Sequence, residues 1–186
     1  MIVVFTGNGK GKTTASLGAA VRAVGRGQRV LMVQFIKGPW KSGEEFAGLT
    51  DNRQLTTDNE KRGSFALKKM GLGFVGILGD QLPFEEHVKA AKAALQYIGQ
   101  QIANSKEQGS YDMIIMDEVN VAVQLKLITA AEVLGLLKNI PNEKIIVLTG
   151  RDAPVEFIER ADLVTEMKEI KHPFNKGQMG TLNVEF

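Results

Sequence analysis

Thr6-Gly7-Asn8-Gly9-Lys10-Gly11-Lys12-Thr13-Thr14 follows the apolar run Ile2-Val3-Val4-Phe5 and precedes an alanine-rich helical pattern. Four apolar residues are too few for a buried helix and enough for a buried parallel strand. Strand, glycine-rich turn and helix is the context that a phosphate-binding loop requires. Three glycines let successive backbone N–H groups turn inward around an anion, and the helix behind them adds the positive end of its dipole. Lys12 can then reach phosphate oxygens, and the Thr13 hydroxyl can bind a metal ion. The usual pattern carries a further glycine five residues before the Gly-Lys pair, and Thr6 holds that place here.

Outward from the loop, Ala15, Leu17, Ala19, Ala20, Val21, Ala23 and Val24 predict a helix over residues 13–25 that packs on a sheet, ended by Gly25-Arg26-Gly27. Val30-Leu31-Met32-Val33-Gln34-Phe35 is the next apolar strand. Two strands apolar throughout, joined by a helix, imply a right-handed crossover in a parallel sheet. Farther along, Met113-Ile114-Ile115-Met116 ends in Asp117-Glu118. A parallel sheet brings such a strand end beside Lys12 and Thr13, where a carboxylate can bind Mg²⁺ directly or through water. An acidic helix cap is the plain alternative for that pair.

The remaining elements complete an α/β pattern. Ser64-Phe65-Ala66-Leu67 suggests a short strand in the glycine-rich span from Lys37 to Asp80, and Val88, Ala91, Leu95, Ile98 and Ile102 predict a helix from about Phe84 to Lys106, stopped by Gly109. Thr129-Ala130-Ala131-Glu132 is a capping box for a helix running to about Asn139. Lys144 to Thr149 is another buried strand, Asp152 is expected to cap a following helix, and Leu163 to Met167 reads as the last strand. The expectation is one domain over residues 1–186, with a mainly parallel sheet of about six strands and helices on both faces.

Composition narrows the function classes. The 186 residues are 44% hydrophobic and 24% charged, ordinary for a globular domain. Lys+Arg 23 against Asp+Glu 21 gives a net charge of +2, no global electrostatic case for nucleic acid or membrane partners. The absence of cysteine excludes disulfides and thiolate chemistry. No charged leader precedes the first strand and no apolar run approaches the ~20 residues that span a bilayer, so a cytoplasmic protein is expected.

The ordered set Thr6 to Thr14, Arg22-Ala-Val-Gly-Arg-Gly27, Gln34-Phe-Ile-Lys-Gly38 with Trp40, Asp117-Glu118, Leu148-Thr-Gly-Arg151 with Ala153-Pro154, and Ala161-Asp-Leu-Val-Thr-Glu-Met167 resembles the bacterial P-loop-type ATP:corrinoid adenosyltransferases. The resemblance runs over nearly the whole chain. It implies a RecA-like homodimeric enzyme of cobalamin biosynthesis or salvage that transfers the 5′-deoxyadenosyl group of ATP to the Co(I) of cobalamin or a precursor and releases triphosphate. A Co(I) corrinoid is itself a strong nucleophile, so the protein needs no general base and must neutralise the leaving group and align the reactants.

On that resemblance Gly7, Asn8, Gly9, Lys10, Gly11, Lys12, Thr13 and Thr14 cradle ATP, and Arg22 reaches the nucleotide, although a solvated helix residue is the plain reading of Arg22. Lys12, Thr13 and Glu118 carry catalysis. Thr13, Asp117 and Glu118 hold Mg²⁺ or Mn²⁺. Phe74 and Arg151 contact the corrinoid, and an electron-donating reductase is implied as partner. Where the family shows Gly-Phe-Thr-Trp, this chain reads Gly73-Phe74-Val75-Gly76, which keeps the phenylalanine and replaces the tryptophan by Gly76. Two other readings compete: a P-loop ATPase or kinase, which would release ADP, and a diverged relative that binds ATP and corrinoid without catalysis.

Overall fold

Side-chain alternation divides the apolar strands between the two faces of one sheet. The structure, a computed structural model, describes residues 1–38, 40–45, 63–77, 79–103, 110–138, 140–172 and 177. Its strands are β1 (Ile2–Thr6), β2 (Arg29–Gln34), β3 (Ser64–Lys69), β4 (Met113–Asp117), β5 (Ile145–Thr149) and β6 (Leu163–Glu166). They lie in the order β3-β2-β4-β5-β1-β6, and every pairing is parallel. Between them run α1 (Lys12–Gly25), α2 (Phe84–Ala103), α3 (Val119–Gln124), α4 (Ala130–Leu137) and α5 (Val155–Arg160).

Ile2, Val4, Leu31, Val33, Ile114, Met116, Ile146 and Leu148 point to one face, where Ala91, Leu95 and Ile98 of α2, Val133 and Leu137 of α4 and Phe157 of α5 close over them. Val3, Val30, Met32, Met113, Ile115 and Val147 point to the other, covered by Ala20 and Ala23 of α1. Near-continuous apolar strands are what a parallel sheet buried on both faces needs. The α/β expectation of six strands with helices on both faces is met. One strand, β5, separates the loop strand β1 from the carboxylate strand β4, as in RecA-like P-loop folds.

Several details depart from the sequence reading. β3 extends to Lys69, two residues past Leu67. Asp152 does not cap α5: the cap position is Pro154, with no side-chain hydrogen bond, while Asp152 takes a left-handed conformation and accepts from Gln124. The short helix α3, directly behind Glu118, was not expected, because Val119-Asn-Val-Ala-Val-Gln124 is rich in valine, whose branching lowers helix propensity. Both bonds of the Thr129–Glu132 capping box are present. The helix ends expected near Lys106, with its stop at Gly109, and at Asn139 lie outside the described residues.

Candidate active site

All six strands end on one edge of the sheet, and the residues that close them are Thr6, Gln34, Lys69, Asp117, Thr149 and Glu166. A run of polar residues capping apolar strands places the site at the carboxyl edge, where parallel sheets bind ligands. Gly7 and Gly11 adopt φ values of 91 and 112, which side-chain-bearing residues rarely take. Gly11 also precedes α1 without any side-chain cap, so the first amides of that helix face the loop with no side-chain partner. Lys12 is buried and folds back into the loop, donating to the carbonyls of Gly7 at 2.7 Å and Gly9 at 2.8 Å.

The loop is clasped from outside by the chain leaving β6. Gly9 donates its amide to the Met167 carbonyl at 2.6 Å, and a Cβ at Gly9 would come within 2.7 Å of that oxygen. The Gly9 amide therefore points away from the interior of the loop, unlike the inward turn expected for it. Thr6, standing where the pattern has glycine, accepts from the Ala153 amide at 3.0 Å and so ties the root of the loop to the chain after β5.

Asp117 is fully buried and joins three strand ends. Its Oδ1 accepts from the hydroxyls of Thr13 at 2.9 Å and Thr149 at 2.7 Å, and its Oδ2 accepts from Gln34 Nε2 at 3.1 Å. Burial pushes its proton affinity up, opposed by those hydrogen bonds and by the Lys37 charge. Glu118 follows in a left-handed conformation at φ 61, its amide donating to Thr149 Oγ1 at 2.9 Å. Its side chain makes no helix cap, so the bland reading of the acidic pair does not describe it. Burial first, and the Asp117 charge second, push the Glu118 carboxyl up to about 7, against the attraction of Lys12, Lys37 and Arg151.

These donors suit a small hard cation: the Thr13 hydroxyl and the carboxylates of Asp117 and Glu118 are all oxygens. Among the described residues no group of three or more His, Cys, Asp or Glu could hold a metal. A magnesium ion held by one or two protein oxygens, with phosphates and waters as its other ligands, needs no larger group. Beside the loop, Asn8, Arg151, Glu166, Lys168 and Glu169 line an open polar cavity of about 640 Å³.

On the far side of the same edge the surface changes character. Trp40 and Phe74 meet at 5.6 Å between ring centroids, and Gly73 packs so closely that a Cβ there would strike the indole at 2.8 Å. Asp80 fastens the loop that follows, accepting from the amides of Gly76 at 2.8 Å and Leu82 at 3.1 Å, and pairs with buried His87 at 3.0 Å.

The family model for ATP:corrinoid adenosyltransferase BtuR/CobO/CobP matches residues 1–186. The chain belongs to this adenosyltransferase family. It is 35% identical over 186 residues to the corrinoid adenosyltransferase of Escherichia coli (strain K12), covering 100% of this chain and 85% of that protein. To corrinoid adenosyltransferase CobA of Salmonella typhimurium it is 33% identical, with the same two coverages. The corrinoid adenosyltransferase of a Sinorhizobium species is 36% identical over 189 residues, covering 100% of this chain and 80% of the relative.

Of the residues the adenosyltransferase resemblance singled out, the structure gathers Gly7 to Thr14, Asp117 and Glu118 at one place with Arg151 beside them, and sets Arg22 and Phe74 apart. Arg22 is exposed in the last turn of α1, about ten residues and roughly 15 Å along the helix from Lys12. Arg151 lines the polar cavity with Asn8, while Phe74 follows β3, three strand positions away from β5. Gln34 and Thr149 had been given no role in the sequence reading. The available signal was a single polar residue closing an otherwise apolar strand.

Proposed function

We propose that this chain transfers the 5′-deoxyadenosyl group of ATP to the Co(I) of cobalamin or a cobalamin precursor, releasing triphosphate. The observation that carries the reading is the Lys12 ammonium inside a loop that opens on an uncapped helix N-terminus, with the Thr13–Asp117 bond beside it. Fixed charge there counters the negative charge that gathers on a departing triphosphate. Lys12 exchanges its two loop carbonyls for phosphate oxygens, and the amides at the start of α1 hold the rest of the chain of phosphates.

The Co(I) electron pair forms the bond to C5′, the C5′–O5′ bond breaks, and its electrons leave with triphosphate. No side chain has to remove a proton. Thr13 and Glu118 are the groups to hold Mg²⁺ or Mn²⁺, with Asp117 orienting the Thr13 hydroxyl from behind. The ion would supply charge neutralisation to the phosphates. The cavity lined by Asn8 and Arg151 is polar and suits parts of the nucleotide, whereas the exposed aromatic side around Phe74 suits a large apolar macrocycle. That placement moves Arg151 toward the nucleotide. Arg22, exposed at the far end of α1, would serve a nucleotide held in the loop of a second copy if the chain forms a homodimer. A reductase supplying the electron to Co(II) completes the cytoplasmic reaction.

ATP hydrolysis is the second reading, favoured by Glu118, whose position at the end of β4 beside the loop also suits activation of a water. The two differ in products. With ATP, Mg²⁺ and chemically prereduced corrinoid, the absorbance change of an adenosylated corrinoid should appear with stoichiometric triphosphate. ADP and free phosphate at a rate matching ATP loss would reject alkyl transfer. If ATP and corrinoid bind but neither product set forms, the chain is a binder only.

A further inference from the structure

Gln34 closes β2 beside Asp117 in the sheet register and is completely buried. Its Nε2 donates to two carboxylates, Asp117 Oδ2 at 3.1 Å and Glu44 Oε1 at 2.9 Å. Both amide hydrogens are engaged, so the carboxamide cannot flip without turning its oxygen against two acids. Its Oε1 is left buried with no partner among the described residues. An orphaned acceptor of this kind is destabilising, which an apolar side chain at the end of an apolar strand would avoid. The amide therefore calls for an explanation other than packing.

The segment it holds supplies one. Glu44 also accepts from Lys37 Nζ at 2.5 Å, and its neighbour Glu45 in the same 3-10 turn, Gly43–Glu45, pairs with Lys69 at the end of β3. Lys69 in turn donates to the Trp40 carbonyl at 2.5 Å, and the Trp40 ring lies on Phe74. Polar contacts thus run from the Thr13–Asp117 pair through Gln34 to Glu44, and from its chain neighbour Glu45 through Lys69 to the backbone that carries Trp40.

We propose that Gln34 is a positioning residue that couples the two substrate sites, so that Mg·ATP at the loop changes the setting of Trp40 and Phe74 and tightens the binding of corrinoid. The proposal rests on the adenosyltransferase reading of both sites. Coupling of this kind is reciprocal: corrinoid must tighten ATP by the same factor.

Trp40 is the only tryptophan in the chain, so its emission reports on this segment alone. The test titrates Mg·ATP into the full-length protein without corrinoid and follows Trp40 emission, with labelled ATP in equilibrium dialysis as an independent measure of binding. A second titration uses a Co(II) corrinoid, which can bind without reacting, with and without Mg·ATP. Wild type should show a saturable emission change and a corrinoid affinity raised about fivefold or more by Mg·ATP, the lower end of ordinary coupling. Gln34→Leu and Glu44→Ala should still bind ATP in dialysis, lose the emission change and reduce the coupling to less than about twofold. Glu44→Ala cuts the path at the loop end, so it decides the matter if Gln34→Leu fails to fold. Bound ATP with silent Trp40 in wild type, or an unaltered response in Glu44→Ala, overturns the coupling and leaves the adenosyltransferase reading intact. Failure of ATP to bind wild type at all removes both.

Discussion

Around Asp117 two threonine hydroxyls and an amide are locked in buried hydrogen bonds, whereas across the sheet Trp40, Leu72 and Phe74 stand 59%, 38% and 43% exposed. The two regions share one edge and differ in what they ask of a ligand. A polyphosphate is small, highly charged and geometrically fixed, so amides and charges held rigid beforehand recognise it best. A corrinoid is a broad ring with apolar faces and a polar rim, and surface aromatics can meet its faces while the rim stays in water. Rigidity at the loop and openness at the aromatic pair are therefore expected in a protein that must align a charged donor with a bulky acceptor.

Lys12→Ala should break the charged side most severely. Removal of one preorganised electrostatic donor lowers kcat by about 10²–10³, or ~3–4 kcal/mol. The measurement is turnover at saturating prereduced corrinoid, with corrinoid affinity in the absence of ATP unchanged. Near-normal turnover would show that the phosphates lie elsewhere.

The next effect is on stability and follows pH. The ordinary Glu118 carboxyl value of 4.5 rises to about 7 in the fold, because burial disfavours its charged form. A raised carboxyl stabilises the fold while it stays protonated, below about 4.5, and that contribution is lost as pH climbs through about 7. Nucleotide-free protein should accordingly lose at most roughly 3 kcal/mol between pH 5 and 8 from this group. Thermal melts across that range should show a shallower decline in Glu118→Gln, and Mg·ATP should offset the decline in wild type. Parallel melting curves for the two proteins would mean that Glu118 is not held in the buried setting described.

Phe74→Ala probes the open side. Loss of a half-exposed aromatic contact should raise KM for corrinoid about tenfold, a little over 1 kcal/mol, and leave ATP affinity measured without corrinoid untouched. An equal rise in ATP dissociation would place Phe74 in the wrong region.

The same contrast governs how much of the molecule could be read from its residues. Ile2 to Thr14 is local: strand, turn and helix follow from consecutive residues, and the structure keeps them. Asp117 and Glu118 were legible because a parallel sheet must deliver a strand end to that edge. The Asp117 partners were not, since Gln34 and Thr149 reach it through sheet order, which the residues of one strand do not reveal. Arg22 and Arg151 show the converse, as motif membership gave them ligands while helix length and strand order fixed where they stand. Trp40 on Phe74 joins two glycine-rich loops without periodicity, and no local signal announces such a contact.

The smallest effect expected separates two glycines that look alike in the sequence. At Gly9 a Cβ would press within 2.8 Å of Met167 backbone, so Gly9→Ala must part the loop from the chain leaving β6. Gly76, in contrast, has nothing within 4 Å of its Cβ position and only its φ of 67 to oppose a side chain. The left-handed conformation costs an alanine about 1 kcal/mol, and the amide that donates to Asp80 is retained. Gly76→Ala should therefore lower Tm by only ~2–4 °C and leave ATP affinity unchanged. Its corrinoid KM should move by less than about threefold, since less than 1 kcal/mol of binding is at stake when no contact is removed. A larger rise would mean that the corrinoid approaches the backbone at Gly76 itself, and the open side would then be a fitted pocket of the same kind as the phosphate loop.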